Sequence, residues 1–398
     1  MSLQDPTIAI DLRGLDRLNV GNGQFRYCVD LIDGLWKLSA ECRFIVIGSL
    51  PSPPEAIRHV FEHDDRWRYL PVRLRDFRGA FYLEQLLSGW LLLRQHVDVL
   101  HTLHTQVPLL SSAKRVVTIY DMMSELFPEY RERVVSRPYR LFKYAVKNTG
   151  PFVLAISNTT AADLDRFWGV PASRVAVIYL CSSPEAAGAI PSEAETAANG
   201  TRGLILSPYN LEPRKNLLSL LRAMVEVRRS HPDAHLVLFG RAALTAEREE
   251  AFRKAVDALG LNETVSLTGF VSDAELTALY RRASLFVFPS LYEGFGLPVL
   301  EAMAAGTCTV ARNQSAMAEV LGDAGVQVET ADPALLASAM SAVLADAPRR
   351  AALGRAGQVR AARFTQQAMA QGTLAAYMRV LGRHHTAGAL APASEMRH

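Results

Sequence analysis

Two glutamates eight positions apart, Glu293 and Glu301, bracket the run Gly294-Phe-Gly-Leu-Pro-Val-Leu300. Carboxylates accept hydrogen bonds from hydroxyl groups, and glycines let a backbone turn tightly and come close to a ligand. The apolar run Leu285-Phe-Val-Phe-Pro289 before them reads as a buried strand of a parallel sheet. The residues after the turn read as a helix with Pro298 at its first position. A helix N-terminus has free N–H groups and a partial positive charge, so this turn suits an anion. Helical side chains lean toward the N-terminus, which lets both carboxylates border one small volume. Taken singly, Glu301 is accounted for as a complement to the helix dipole and Glu293 as a solvated loop residue. Taken together around Gly-Phe-Gly-Leu-Pro, they suit a sugar that carries a phosphate.

A second cluster lies in Leu211-Glu-Pro-Arg-Lys-Asn216, between a strand and a helix that Asn216 is placed to cap. Arginine forks onto phosphate oxygens and lysine adds a point charge. A diphosphate beside Glu293 and Glu301 would be repelled unless cations offset the acids, and Arg214 and Lys215 supply two. The alternative for this pair is two solvated surface cations. Gly21-Asn-Gly23 offers backbone approach to a phosphate from a second domain, although many loops carry paired glycines. His101 and His104 have metal-compatible spacing without an accompanying acid or cysteine cluster, which favours structural or substrate-contact roles. Asp163-Leu-Asp165 lies within a helical stretch and reads as a solvated face. Arg131, Arg133, Arg137, Arg140, Lys143 and Lys147, interleaved with Tyr139, Phe142 and Tyr144, form either an ordinary exposed helix or a patch for an anionic membrane.

Strands alternating with helices must position these groups. Strands are expected at 7–11, 43–47, 97–101, 115–119, 152–156 and 175–178, with helices at 24–37 and 81–94. Residues 183–202, rich in Ser, Pro, Ala, Glu and Gly, read as a linker. The alternation resumes with strands at 203–207, 235–239, 265–268, 285–288 and 307–311. Helices are expected at 216–229, 246–259, 273–282 and 333–345. The chain thus divides into an N-terminal Rossmann-like domain (1–182), the linker, and a C-terminal Rossmann-like domain (203–365). A helix at 366–383 returns to the first domain, and a tail follows at 384–398. Two such α/β domains form a cleft, and ligands of open α/β sheets bind at the carboxyl ends of the strands.

The 398 residues suffice for two cores, and a composition 49% hydrophobic and 21% charged is that of a soluble globular protein. A net charge of +3 suits an anionic substrate or membrane surface and is too small to argue for nucleic acid. Four cysteines without a C-x-x-C pair read as buried free thiols of a reducing cytosol. The first residues lack the pattern of a signal peptide, and the apolar stretch Leu83–Leu93 is too short to span a bilayer. The expectation is therefore a cytoplasmic protein, peripheral at the inner face of the plasma membrane if the basic helix makes contact there. A dinucleotide-dependent dehydrogenase is disfavoured, because no strand runs directly into G-x-G-x-x-G and a helix.

The run Glu293-Gly-Phe-Gly-Leu-Pro-Val-Leu-Glu301 resembles the E-x7-E signature of the retaining glycosyltransferases of family 4, which have the two-domain GT-B fold. The resemblance extends to Val116–Asp121, Ile156–Thr160, Glu212–Asn216, Gly269–Asp273 and Glu301–Gly306, most of the chain. It implies that Glu293 holds hydroxyls of the donor sugar, with the backbone of Gly294, Phe295, Gly296 and Leu297, and that Glu301 binds the donor ribose. It implies that Arg214 and Lys215 bind the diphosphate and stabilise the leaving nucleotide, and that Gly23 lines the other side of the cleft. It also implies transfer without a metal or cofactor, by a front-face route in which the leaving phosphate helps deprotonate the acceptor. Many members have His-Asp where this chain has Tyr120-Asp121, and tyrosine can donate a hydrogen bond to sugar or acceptor. Many also carry Gly-Arg where this chain has Pro208-Tyr209, so the diphosphate falls to Arg214 and Lys215 alone. Similarity to members of O-antigen and capsule assembly points to GDP-mannose as donor, with a UDP-hexose as the variant. The acceptor expected is a polysaccharide or lipid-linked glycan. The alternatives are a sugar-nucleotide epimerase of the same fold and a catalytically silent nucleotide-sugar-binding regulator.

Overall fold

The computed structural model describes residues 5–17, 23–38, 41–72, 94–104, 111–127, 130, 137–182, 203–240, 245–329 and 331–383. The linker 183–202, the helix at 81–93, Arg131, Arg133 and the tail 384–398 therefore lie outside the described residues, as do the side chains of Arg137 and Pro138. The chain divides into two compact units. One is Met1–Cys181 with Thr365–Met396, the other Ser182–Phe364 with Arg397–His398.

Each unit is built on a parallel sheet. In the first, among the described residues, the strands are β1 Thr7–Asp11, β2 Arg43–Gly48, β3 Trp67–Pro71, β4 Val99–Thr102, β5 Lys114–Ile119, β6 Phe152–Ala155 and β7 Val175–Val177. Their order is β3-β2-β1-β4-β5-β6-β7. Strand β3 departs from the expectation, since arginines interrupt its alternation. It forms because Trp67 is buried and stacks on Phe44 of β2, with ring centroids 4.1 Å apart. The central strands are buried on both faces, as the Ile8-Ala-Ile10 and Val116-Val117 runs require.

The helix Gln366–Val380 belongs to this unit, where the hydroxyl of Tyr377 is hydrogen bonded to His101 Nδ1 at 2.7 Å. The other ring nitrogen of His101 bonds the Thr118 hydroxyl at 2.8 Å, so this histidine is a buried strut. In the basic helix Arg137–Asn148, Tyr139 and Phe142 face the core, Lys143 pairs with Glu125 at 2.7 Å, and Tyr144 is exposed. The aromatic residues of that series are thus mainly core.

The second unit has β8 Leu204–Pro208, β9 His235–Phe239, β10 Val265–Gly269, β11 Leu285–Phe288, β12 Thr309–Arg312 and β13 Val326–Val328. Their order is β10-β9-β8-β11-β12-β13. Strand β13 was not expected: three residues are too few to show a period. Numbered from β8, this is the doubly wound order 3-2-1-4-5-6, in which connections leave β8 and β11 toward opposite faces. A crevice opens at the carboxyl ends of those two strands, where the chain diverges.

The helix Leu297–Ala304 carries the second glutamate and is backed by the helix Ala347–Ala361. That backing helix shows no clear apolar period, and its interior glycines oppose helix formation. Tertiary contact explains them: a Cβ on Gly354 would stand 2.2 Å from the carbonyl oxygen of Gly306. Close approach of the two elements needs glycine there.

Candidate functional site

The described parts of the site in the second unit assemble at the switch point between β8 and β11. After β8 the chain makes a single 3-10 turn, Pro213–Lys215, closed by Asn216 in a left-handed conformation at φ 55°. Asn216 stands at the start of the helix Leu217–Ser230 but its side chain does not cap it. Instead its amide oxygen accepts from the Ser219 hydroxyl at 2.7 Å, and its amide nitrogen donates to the Pro289 carbonyl at 3.4 Å. That corrects the capping expectation. A left-handed backbone aims the side chain sideways, where it ties this turn to the end of β11.

After β11 the chain runs Pro289-Ser290-Leu291-Tyr292-Glu293, with the Leu291 N–H donating to the Arg214 carbonyl at 2.6 Å. This backbone bond sets the two motifs side by side. Glu293 then receives three side-chain donors on one oxygen: Lys215 Nζ at 2.6 Å, Arg214 Nη1 at 2.8 Å and the Ser290 hydroxyl at 2.6 Å. The three charged side chains are largely buried, at 13% exposure for Glu293, 16% for Lys215 and 10% for Arg214. Lys215 also sits over the Phe288 ring, 5.2 Å from its centroid, and Arg214 Nε lies 2.8 Å from Glu212. Burial alone would raise the Glu293 carboxyl. The charges of Lys215 and Arg214 and the bonds from Lys215 and Ser290 outweigh it, and the pKa lies below the ordinary glutamate value.

The turn after Glu293 closes with Gly296 at φ 100°, a backbone that side chains rarely adopt. It is the N-cap of Leu297–Ala304, and no side chain caps that helix start. Pro298 falls in the first turn, with Leu297 ahead of it. Phe295 is buried edge-on against Phe364, with ring centroids 6.0 Å apart, which anchors the turn. Glu301 accepts from the Tyr280 hydroxyl at 3.2 Å. Tyr209, standing where a Gly-Arg pair would be, is core, packed against Phe252 at 5.2 Å between ring centroids.

In the first unit Tyr120 and Asp121 follow β5 and border a cavity of about 210 Å³, with His104, Tyr130, Tyr139 and Trp168 among its walls. Gly23 opens the helix Gly23–Lys37, and its neighbour Gln24 also lines the cavity. The Tyr120 hydroxyl donates to the Leu103 carbonyl at 2.9 Å, and burial holds its pKa well above the ordinary value. Its one proton is engaged inside the unit, so a bond from it to sugar or acceptor would first have to break this one. Tyr120→Phe is accordingly expected to cost about 1 kcal/mol of stability and to leave kcat/KM within about threefold of wild type. Steady-state kinetics on that variant check it. Asp121 accepts from the Met123 N–H at 2.9 Å. His104 Nε2 lies 3.3 Å from Asp11, whose carboxylate takes a two-pronged bond from Arg13.

Three residues at the second-unit site escaped the sequence analysis. Ser290 is fully buried between the two motifs, and its only signal was a hydroxyl three positions before Glu293. The Ser315 hydroxyl accepts from the Glu293 N–H at 3.1 Å, with Ser315 held at φ 58°. Strain of that kind gathers at functional sites. Arg312, the last residue of β12, donates to the Leu291 carbonyl at 3.4 Å.

Comparison with known proteins bears on this architecture. The family model described as Glycosyltransferase Family 4 matches residues 21–185, and that described as Glycosyl transferases group 1 matches residues 191–360. The O-antigen chain mannosyltransferase B of Escherichia coli is 29% identical over 273 residues, 66% of this chain and 70% of that protein. A D-inositol 3-phosphate glycosyltransferase of Segniliparus rotundus is 30% identical over 314 residues, 78% of this chain and 66% of that protein. Among solved structures, an Anabaena protein in complex with UDP and glucose superposes with a TM-score of 0.70 at 17% identity, covering 92% of this chain and 98% of that one. With a family 4 half followed by a group 1 half, each on its own parallel sheet, the chain belongs to the glycosyltransferases of the GT-B fold.

Proposed function

We propose that the chain is a retaining hexosyltransferase that moves mannose from GDP-mannose to a polysaccharide or lipid-linked glycan, without a metal. The observation that carries this reading is the convergence of Arg214, Lys215 and Ser290 on one oxygen of Glu293, at the switch point of the sheet. Two cations and a hydroxyl-accepting carboxylate in one half-buried volume fit a sugar joined to a diphosphate. Arg214 and Lys215 take the diphosphate, Glu293 and the backbone of 294–297 take sugar hydroxyls, and Glu301 takes the ribose.

In the proposed step the acceptor hydroxyl attacks the anomeric carbon from the face the nucleotide leaves. The bond from that carbon to the phosphate oxygen breaks with its electron pair, a bond to the acceptor oxygen forms, and the acceptor proton passes to the departing phosphate. No protein nucleophile takes part. The cations act where negative charge grows, which is where electrostatic stabilisation is largest. The cavity of the first unit, walled by Tyr130, Tyr139 and Trp168, suits the flat face of an acceptor sugar.

Mannose is favoured by the Escherichia coli relative, and a UDP-hexose by the Anabaena neighbour. Among the described residues no helix is long and apolar enough to cross a membrane. We place the enzyme in the cytoplasm, at the inner membrane face when its acceptor is lipid-linked. Thermal-shift measurements against GDP-mannose, UDP-glucose and other sugar nucleotides test the donor. At a hundredfold excess over Kd the preferred one stabilises the fold by about 2.7 kcal/mol. A protein that no sugar nucleotide stabilises would exclude the proposal. Binding without turnover of donor, with acceptor extracts present, would favour the silent regulator.

A further inference from the structure

We infer that Arg312 is a third diphosphate-binding cation of this site, a role that rests on the function proposed above. The charges assembled around Glu293 do not by themselves favour an anion. Arg214 and Lys215 stand against Glu212 and Glu293, two positive charges to two negative. Arg214 is committed to Glu212 and Glu293, and Lys215 to Glu293. A diphosphate would have to share both cations with acids already bonded to them. A further positive charge is needed, and the fold supplies one on the neighbouring strand.

Arg312 ends β12, which pairs in parallel with β11, so its backbone emerges at the same edge of the sheet as the Ser290–Glu293 loop. Its Nη1 donates to the Leu291 carbonyl at 3.4 Å, a long bond that leaves most of the guanidinium's donors over. Its Nε is buried without a hydrogen-bond partner. Among the described residues no carboxylate stands within ion-pair distance of Arg312, in contrast to Arg214 and Lys215. A half-buried guanidinium without an acid is an uncompensated charge, and burial pushes its pKa below the ordinary value. An anion at this edge would compensate it. Three residues on, Ser315 holds the Glu293 N–H, so the segment carrying Arg312 is stitched to the motif loop on its far side. Cations thus stand at the carboxyl ends of both strands that neighbour β11, Arg214 and Lys215 after β8 and Arg312 as the last residue of β12.

The test is calorimetric titration of the full chain with GDP and with UDP, using wild type, Arg312→Met, Arg312→Lys and Lys215→Ala. Met keeps an unbranched stem and removes the charge, and thermal melts confirm that each variant folds. Arg312→Met is expected to weaken the preferred nucleoside diphosphate about ten- to a hundredfold, the range for a lost hydrogen bond to a charged group. Arg312→Lys should recover most of that loss. The affinity of Arg312→Met should also depend less on ionic strength, which a merely structural tie to Leu291 would not change. If Arg312→Met binds within twofold of wild type while Lys215→Ala does not bind, Arg312 has no such role and the proposed function stands. If Arg312→Met loses affinity with its salt dependence intact, the role is structural and the inference fails. If wild type binds no nucleoside diphosphate at all, the functional proposal falls and this inference with it.

Discussion

Lys215→Ala is expected to lower kcat/KM by about 10²–10³, the range for removing one preorganised donor from a developing negative charge. Lys215 is not a surface cation that solvent could replace. It is 16% exposed, packed over Phe288, and 2.6 Å from Glu293. Its removal leaves Glu293 with Arg214 and Ser290, so the variant should also lose about 1–3 kcal/mol of stability in the second unit. Breaking a fully isolated buried pair costs about 3–5 kcal/mol, and the remaining Arg214 moderates that figure.

The two losses can be separated. Adding Glu293→Gln to Lys215→Ala removes the carboxylate that was left short of a partner, so stability should return while transfer stays low. Glu293→Gln alone should lose transfer, because a carboxylate that holds sugar hydroxyls is gone. It should bind a bare nucleoside diphosphate at least as tightly as wild type, since the competing negative charge is gone too. Transfer assays, calorimetry and urea unfolding followed by circular dichroism measure all three. A Lys215→Ala enzyme working within about threefold of wild type would show the assignment to be wrong.

The second large effect is a loss of stability of the first unit on mild acidification, carried by His101. Burial lowers its pKa from 6.5 to about 3. The unfolded chain therefore takes up a proton near pH 6.5 that the folded chain refuses until about pH 3. Stability from this group is complete above pH 6.5 and is lost as pH falls toward 3, by about 1.4 kcal/mol per unit. The full window amounts to about 5 kcal/mol at most, a large share of the stability of a domain. The depressed carboxylates Asp11 and Glu293 act in the same direction but only below the ordinary carboxylate range. Between about pH 4.5 and 6.5 the slope is thus assigned to His101.

All four tryptophans, Trp36, Trp67, Trp90 and Trp168, lie in the first unit, so their fluorescence reports its unfolding. Urea midpoints should fall steadily over that pH range in wild type. The slope should flatten in His101→Gln, which does not titrate. A wild-type midpoint that does not move with pH would overturn the assignment.

Much of this protein is visible in one dimension because parallel sheets write themselves plainly into sequence. Strands buried on both faces are unbroken apolar runs, as in Leu285-Phe-Val-Phe288, and the intervening helices carry a 3.6-residue period. The elements that escaped include two edge strands, the short helices Arg58–His63 and Ala316–Leu321, and one glycine-bearing helix. Trp67–Pro71 and Val326–Val328 sit at sheet margins, where half-burial erases the pattern. Ala347–Ala361 holds glycines whose purpose is contact with residues some fifty positions earlier in the chain, such as Gly354 with Gly306.

At the site, the residue types along the chain already name the chemistry present: two cations, two acids, and a glycine turn at a strand end. Residue type and short spacing suffice for that, because each motif lies within one strand-to-helix connection. What those groups do to one another depends on how the strands are ordered in space. Arg214 and Lys215 lie 79 and 78 residues from Glu293, and only the adjacency of β8 and β11 places them on the same oxygen. The same adjacency buried Ser290 between them and aligned Arg312 on the next strand, with no local pattern to announce either. Tyr120 shows the converse. Its place after a strand suggested chemistry, while the partner its hydroxyl donates to, the Leu103 carbonyl 17 residues away, follows only from the fold. Hydrogen-bond partners are chosen by distance in space, and a sequence orders residues only along the chain.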